Sequence, residues 1–257
     1  MKTVYLCNNT VTGIFSAIYD AWKSGKQEEE CGIALRGTLE QELFCEYQET
    51  EETEKKAQAV EILIRRHLGV KAYWDIYHAS LSEDKEKGNA ILGTMMEARR
   101  LSDSKRIMEH LSHPKVEKVF ELSRNVGGEA HNYTGFLRFK ELENGILYSE
   151  ISPKNQILTC IAPHFADRLP LENWMIYDKN HQMFVVHEAQ KKWVLVWDEG
   201  FDRTMTEQIS EKETSYAELW KSFCRTIAIR ERRNLKGQLQ HLPLRYRGDM
   251  VEMRVEI

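Results

Sequence analysis

Side chains suited to proton transfer and phosphate binding recur in the middle of the chain. A histidine exchanges protons near neutral pH, a carboxylate can fix its tautomer or raise its pKa, and an arginine offers forked donors to a phosphate. Three- and four-residue spacing places His164, Asp167 and Arg168 near one face of a predicted helix. We predict an acid–base or phosphate site if the fold assembles these groups. The alternative is structural, with a buried histidine capping a helix and Arg168 paired with Asp167 or Asp178. The candidate catalytic residues are Glu129, His131, Arg138, His164, Asp167 and Arg168.

A second feature is the concentration of cations near the C-terminus. Residues 221–247 hold eight Lys or Arg and one acid, whereas residues 28–54 hold ten Glu and one Arg. Cations hold phosphates largely without regard to sequence, and an aromatic ring can stack on a base, so this segment predicts nucleic-acid binding. The alternative is that the two segments neutralise each other or are solvated surfaces. The candidate nucleic-acid-binding residues are Lys221, Arg225, Arg230, Arg232, Arg233, Lys236, Arg245, Tyr246 and Arg247.

Motifs for metal, nucleotide or nucleophile chemistry are missing from the sequence. His131 and His164 have no partners at the spacing of common zinc sites, and the five cysteines never form a CxxC pair. Gly127 and Gly128 lack the context of a phosphate-binding loop. We therefore predict no metal and no cofactor.

The candidate catalytic residues must be positioned by a block of strands in the middle of the chain. Alternation with period two predicts strands at 136–139, 146–151, 174–177, 183–187 and 193–197, separated mostly by turn residues. A helix is predicted at 157–168, after the second strand. This ββαβββ order predicts a central antiparallel sheet flanked by N-terminal and C-terminal helices, and hence an α+β fold.

Helical periodicity dominates the two ends of the chain. An N-terminal strand at 1–7 precedes helices predicted at 11–23, 53–68, 72–81 and 87–98, and a further helix begins at 112–114 and ends or bends at Gly127. Near the C-terminus, the spacing of Tyr216, Leu219, Trp220, Phe223 and Ile227 predicts a helix whose apolar face belongs to the core. We divide the chain into an N-terminal subdomain at 1–83 and a main domain at 84–257.

Composition excludes several classes of protein. The chain has 257 residues, of which 42% are hydrophobic and only 5 are proline, so it is neither disordered nor collagen-like. Its longest apolar runs are far shorter than the roughly 18 residues of a membrane helix. Polar residues near the N-terminus argue against a signal peptide, and the odd number of dispersed cysteines favours reduced thiols. We expect a cytoplasmic protein.

Several short strings, taken in order, resemble a bacterial family labelled "probable DNA metabolism protein". The resemblance is close from about Asp84 onward and looser before it, and Asn132 stands where the family pattern has a basic residue. The strings are Glu129-Ala130-His131, Gly135-Phe136-Leu137-Arg138-Phe139, Ile151-Ser152-Pro153, Ala162-Pro163-His164-Phe165-Ala166-Asp167-Arg168, Trp174-Met175-Ile176-Tyr177-Asp178, Leu219-Trp220-Lys221, Ile227-Ala228-Ile229, Arg230-Glu231-Arg232-Arg233-Asn234, Gln240-His241-Leu242-Pro243 and Arg245-Tyr246.

The resemblance implies a pathway and supplies no catalytic residues. Members of this family are encoded beside a radical-SAM protein with a role in DNA repair or modification, and elsewhere the domain is fused to a uracil-DNA-glycosylase-like domain. The first hypothesis is therefore a DNA-binding accessory protein that acts with the radical-SAM partner. The alternatives are an enzyme that acts on DNA or a nucleotide by His/Arg acid–base chemistry, and a scaffold that binds only the partner protein.

Overall fold

A computed structural model describes residues 1–37, 43–198, 200, 203–229, 234–248 and 250–253. The chain divides into two units, Met1–Gly128 and Glu129–Ile257, and the division falls inside a long helix, α5. The first unit contains β1 (Lys2–Cys7), α1 (Val11–Lys23), β2 (Cys31–Leu35), β3 (Cys45–Glu49), α2 (Glu54–His67), α3 (Gly69–Ser80), α4 (Lys87–Ala98) and the start of α5 (Pro114–Phe136), with short 3-10 helices at Glu28–Glu30 and Ser104–Glu109.

The first unit is built on a three-stranded parallel sheet with strand order β2-β1-β3. Parallel neighbours need crossover connections, which α1 supplies between β1 and β2. Ile14 and Ile18 lie one turn apart on α1 and are fully buried in the core of this unit. The periodicity therefore predicted α1 and α4 correctly, whereas residues 31–44, which contain β2, are ambiguous in the sequence between a short strand and an acidic loop, and β3 was not predicted.

Threonine side chains fix the start of two helices in this unit. Thr10 accepts a hydrogen bond from the N–H of Gly13 at 2.9 Å, and Thr53 accepts one from Lys56 at 3.3 Å. Such caps satisfy backbone donors that the first helical turn leaves unpaired. The predicted start of α2 at Thr53 is confirmed.

The second unit holds a five-stranded sheet. Its further elements are β4 (Lys140–Glu141), β5 (Leu147–Ile151), α6 (Leu158–Arg168), β6 (Trp174–Asp178), β7 (Met183–His187), β8 (Val194–Trp197), α7 (Glu211–Thr226), α8 (Leu235–His241) and α9 (Leu244–Arg247), with 3-10 helices at Arg203–Thr206 and Val251–Met253. The strands lie in sequence order, β4-β5-β6-β7-β8.

The sheet corrects the prediction of a wholly antiparallel block. The mixed α/β character is confirmed, but β5 and β6 run parallel, because α6 connects them as a crossover helix. The predicted strand at 136–139 is also wrong, since α5 continues through Gly127 and Gly128 to Phe136. Only the short β4 follows it.

Aromatic packing holds the helices against this sheet. Trp174 is 1% exposed and stacks on His187, with ring centroids 4.9 Å apart and planes within 10°. Phe165 of α6 and Phe139 meet edge to face at 5.3 Å beside it. None of the described helices is long and apolar enough to cross a membrane.

Candidate functional site

Glu129, on α5, is a buried carboxylate with backbone partners. Its two oxygens accept hydrogen bonds from the N–H groups of Lys154 and Asn155, both at 2.9 Å, and from Nδ2 of Asn155 at 2.7 Å. These donors belong to the loop between β5 and α6, at the carboxyl end of β5. A charged acceptor satisfies buried N–H groups better than a neutral one, so Glu129 anchors this loop.

Arg245 and Tyr246, on α9, join the same polar network. The guanidinium of Arg245 lies 3.5 Å from Glu129 and donates to the hydroxyl of Tyr246 at 2.6 Å. The Tyr246 ring is 2% exposed and packs on Tyr133 and Phe136 at 5.0 and 5.2 Å. This ring fills the core and does not present a face to a base. Arg245 keeps half of its side chain in solvent.

The histidine candidates lie on solvent-facing surfaces. His131 is exposed on α5, and His164, Asp167 and Arg168 are exposed together on one side of α6, as their spacing predicts. Within the described residues, no hydrogen bond or ion pair joins any of these four side chains to another. The structure therefore places three of them on one helix face but does not assemble them with His131 or with the buried Glu129.

Arg138, which follows α5, binds the 3-10 helix Val251–Met253 through Glu252. Its Nε and Nη2 donate to Glu252 at 3.3 and 2.9 Å. Burial on its own raises the pKa of Glu252, but a backbone hydrogen bond together with the hydrogen bond and charge of Arg138 outweighs it. The pKa of Glu252 therefore lies below its ordinary value of 4.5. Arg138 is thus a structural ion-pair partner, at a position predicted to lie in a strand.

The C-terminal cations differ in how much of their charge is neutralised. Arg225 of α7 and Lys236 of α8 are exposed and form no ion pair with any carboxylate in the described part of the chain. Lys221 is half-buried on α7, and Arg247 donates to the carbonyl of Leu242 at 3.0 Å, a neutral partner. The remaining candidates, Arg230, Arg232 and Arg233, lie outside the described residues.

The apolar face of α7 is exposed, so the prediction that it belongs to the core is wrong. Tyr216, Leu219 and Phe223 leave 65%, 64% and 53% of their surface in solvent, and Trp220 leaves 41%. Trp220 and Phe223 stack on each other, with ring centroids 5.8 Å apart. Helical periodicity identified these residues correctly as one stripe but assigned the stripe to the core. The solvent-facing rings of this unit that could meet a base therefore include Trp220 and Phe223, which their spacing alone predicts to be core residues.

An aspartate–histidine pair in the turn between β6 and β7 was not predicted from the sequence. The buried carboxylate of Asp178 accepts from Nδ1 of His181 at 2.6 Å and from the backbone N–H groups of Asn180 and His181. Such a carboxylate fixes the tautomer and orientation of the imidazole. The only signal in the sequence was an acid three residues before a histidine in a turn, which many hairpins share.

In the first unit, Lys87 is fully buried at the start of α4. Its ammonium donates to the side-chain carbonyl of Asn9, in the loop after β1, and to the carbonyl of Ser82. Burial lowers the pKa of this lysine to about 8, and nearby acids only partly oppose the shift. Lys87 therefore joins two segments of this unit through neutral oxygens.

No cluster of three or more His, Cys, Asp or Glu side chains in the described residues has the geometry of a metal site.

A known family of protein domains matches most of the chain. Residues 85–252 match the family described as DUF4130, a domain of unknown function. The chain belongs to the DUF4130 family. No curated protein matches it significantly. The DUF4130 match begins inside the first unit, just before α4, and covers the whole network around Glu129.

Proposed function

We propose that this DUF4130 protein is a nucleic-acid-binding accessory protein in DNA repair or modification that acts with a radical-SAM partner. The observation that supports this proposal best is that Arg225 on α7 and Lys236 on α8 are exposed and form no ion pair with a carboxylate in the described part of the chain. The pathway and the partner rest on the resemblance to the DNA-metabolism family.

The exposed rings of α7 favour a single strand over a duplex. Stacking on an aromatic ring requires an unpaired base, and Trp220 and Phe223 keep much of their ring surface in solvent on this helix. At about 100° per residue Arg225 lies on the other side of α7, so a strand that meets both must cross the helix. A duplex offers phosphates but hides the faces of its bases. We therefore expect both forms to bind through phosphate contacts and the single strand to bind more tightly.

Fluorescence anisotropy with labelled single- and double-stranded oligonucleotides tests the proposal. The double variant Arg225→Ala/Lys236→Ala should weaken binding by about tenfold, because each cation supplies a phosphate contact. The matched control is Arg66→Ala/Lys105→Ala, which removes two exposed cations of the first unit and changes the net charge equally. A second variant, Arg232→Ala/Arg233→Ala, tests the adjacent segment. Equal losses in the first double variant and the control would refute a localised site.

A second candidate, the partner-binding scaffold, is favoured by the exposed apolar stripe on α7. In a scaffold that binds only the partner protein, Leu219→Ser/Phe223→Ser would abolish co-purification of the radical-SAM partner, and neither the wild type nor the variant would bind oligonucleotides. The nucleic-acid-binding proposal predicts a loss of single-strand affinity in the same variant, because Phe223 supplies stacking surface. The two measurements on one variant separate the candidates.

The alternative of an enzyme that uses His/Arg acid–base chemistry depends on residues that are exposed on α6. His164 and Arg168 share the solvent face of α6 and could contact a phosphodiester there. Turnover of a nucleic-acid substrate that His164→Ala abolishes, with binding affinity unchanged, would favour this activity over an accessory role.

A further inference from the structure

The strand β8 lies at the edge of the five-stranded sheet and is exposed along its whole length. Val194 and Trp197 leave 54% and 51% of their surface in solvent, and Leu195 and Val196 are also exposed. One side of β8 pairs with β7, while no strand in the described residues pairs with its other side. Sheet edges in soluble proteins are commonly protected by a lysine, a proline or a bulge. The four residues Val-Leu-Val-Trp contain no such residue.

The sequence around β8 is a palindrome with complementary charges at its ends. Trp193 and Val194 precede Leu195 in the mirror order of Val196 and Trp197 behind it. Two lysines come before this run, and two acids, Asp198 and Glu199, follow it. Of these flanking residues Lys192 is exposed, Asp198 is half-buried and accepts a hydrogen bond from the hydroxyl of Tyr177 at 2.8 Å, and Glu199 lies outside the described residues. A carboxylate accepts several hydrogen bonds, so this contact leaves Asp198 able to pair with a lysine as well. A strand of this kind is complementary to a second copy of itself in the antiparallel direction.

We propose that two copies of this chain associate by antiparallel pairing of β8 with β8, about a twofold axis through Leu195. A twofold axis perpendicular to the sheet keeps each face on its own side, so residues equally distant from the axis lie opposite each other. Val194 then faces Val196 of the second copy, and Trp193 faces its Trp197. Cross-strand aromatic and β-branched pairs of this type stabilise sheets.

The charges of the flanking residues favour pairing with the axis at Leu195 over pairing with the axis at Val196. With Leu195 on the axis, Lys192 of each copy lies opposite Asp198 of the other, giving two ion pairs per dimer. A shift of the axis to Val196 places Val194 opposite Asp198 and Lys192 opposite Gly200, so both ion pairs are lost. Opposite charges across neighbouring strands stabilise pairing, whereas an acid beside an apolar side chain does not.

The apolar surface available to the dimer extends beyond the strand. A groove of about 640 Å³ runs beside β8, and its lining includes Met175, Phe184 and Val186 from the two preceding strands. Pairing brings the grooves of both copies to either side of the axis. Two four-residue strands alone bury less than the roughly 1,200 Å² usual for a stable complex, so a strand-only contact gives a weak dimer, and further burial requires side chains of one copy to reach over the groove of the other.

Sedimentation equilibrium of the full-length chain between about 1 and 100 µM tests the dimer. The wild type should reach twice the mass of 30.2 kDa. Leu195→Lys places two like charges together on the axis and should weaken the dimer by about 100-fold or more. The control Leu171→Lys changes an equally apolar residue that is 67% exposed elsewhere in the unit, and should leave the mass unchanged. A wild type that stays monomeric at 100 µM, or that grows beyond a dimer, would overturn the proposal.

Two further variants test the register even if Leu195→Lys fails to fold. Leu195→Cys places a thiol opposite its own copy on the axis, so mild oxidation should give a covalent dimer, whereas Val194→Cys should not. The wild type, with five native cysteines, is the oxidation control. Lys192→Asp should weaken the dimer by about tenfold, because it places an acid opposite Asp198 of the second copy, whereas Lys105→Asp, at an exposed lysine of the first unit, should not. Crosslinking of Val194→Cys in place of Leu195→Cys, or equal affinities of the two lysine variants, would refute this register. The proposal is independent of nucleic-acid binding.

Discussion

The guanidinium of Arg245 lies 3.5 Å from the carboxylate of Glu129, a residue more than a hundred positions earlier in the chain. Glu129 is buried at 3% exposure, and it binds the loop after β5 with its other contacts. Two sequence strings that the resemblance treats separately, those of Glu129 and of Arg245, therefore meet in one network with the β5–α6 loop, formed by α5, that loop and α9. Their shared role is to hold these elements together.

Replacement of Glu129 should lower stability. Glu129→Gln keeps the size of the side chain but removes the charge and turns one acceptor into a donor that faces backbone N–H groups. We expect a loss of about 2 kcal/mol in the free energy of unfolding, measured by urea denaturation. Glu172→Gln, at an exposed glutamate of the same unit, should change it by less than about 0.5 kcal/mol. Equal stability of the two variants would contradict the anchoring role of Glu129.

The Arg138–Glu252 pair should make stability depend on acid pH. The native pKa of Glu252 lies below its ordinary value of 4.5, so its contribution is complete above that pH and is lost as pH falls through the native value. Glu252→Gln should therefore cost about 1–2 kcal/mol at neutral pH and progressively less below pH 4.5. Thermal unfolding across this range checks the prediction, with the exposed Glu218→Gln as control. A difference in stability between wild type and Glu252→Gln that stays constant with pH would rule out the Arg138–Glu252 ion pair as its cause.

Lys87 should give a dependence of the same sign at alkaline pH, because its native pKa is also lowered. Its native pKa of about 8 lies below the ordinary value of 10.5, so the folded protein releases a proton that the unfolded chain retains between these values. The stability of the wild type relative to Lys87→Met should therefore rise from pH 8 to pH 10.5, by about 2–3 kcal/mol.

Guanidinium denaturation of both proteins at the two pH values measures this difference for Lys87. Cys7, whose pKa burial raises to about 12, gives an opposing trend that both proteins share, so it largely cancels in the comparison. A relative stability that is flat or falls over this interval would show that burial does not lower the pKa of Lys87.

Local patterns predicted most helices of this chain because each carries its own periodicity and caps. α1, α4 and the Thr53 cap of α2 follow from apolar spacing and a threonine at the N-terminus of the helix. Strand direction did not follow, because the parallel pairing of β5 and β6 depends on where the chain returns after α6. The two glycines of α5 were also misleading, since a helix supported by packing tolerates them.

The candidate site was only partly predictable for a similar reason. The spacing of His164, Asp167 and Arg168 correctly placed them on one face of α6, but spacing does not show whether that face is buried or meets another group. The stripe on α7 illustrates the same limit, because an apolar stripe indicates a surface that some partner covers and does not identify the partner. The roles of Glu129 and Arg245 could not be predicted from the sequence, because these two residues are more than a hundred positions apart in the chain and meet only in the folded protein.

The salt dependence of oligonucleotide affinity tests most directly whether the cations of α7 and α8 bind a polyanion. Each phosphate neutralised by a cation contributes about 0.9 to the slope of log affinity against log salt for a duplex, and about 0.7 for a single strand. The account predicts a steep negative slope for the wild type, reduced by about 1.4 for single strands in Arg225→Ala/Lys236→Ala and unchanged in Arg66→Ala/Lys105→Ala. A wild-type slope near zero, or the same slope in all three proteins, would contradict it.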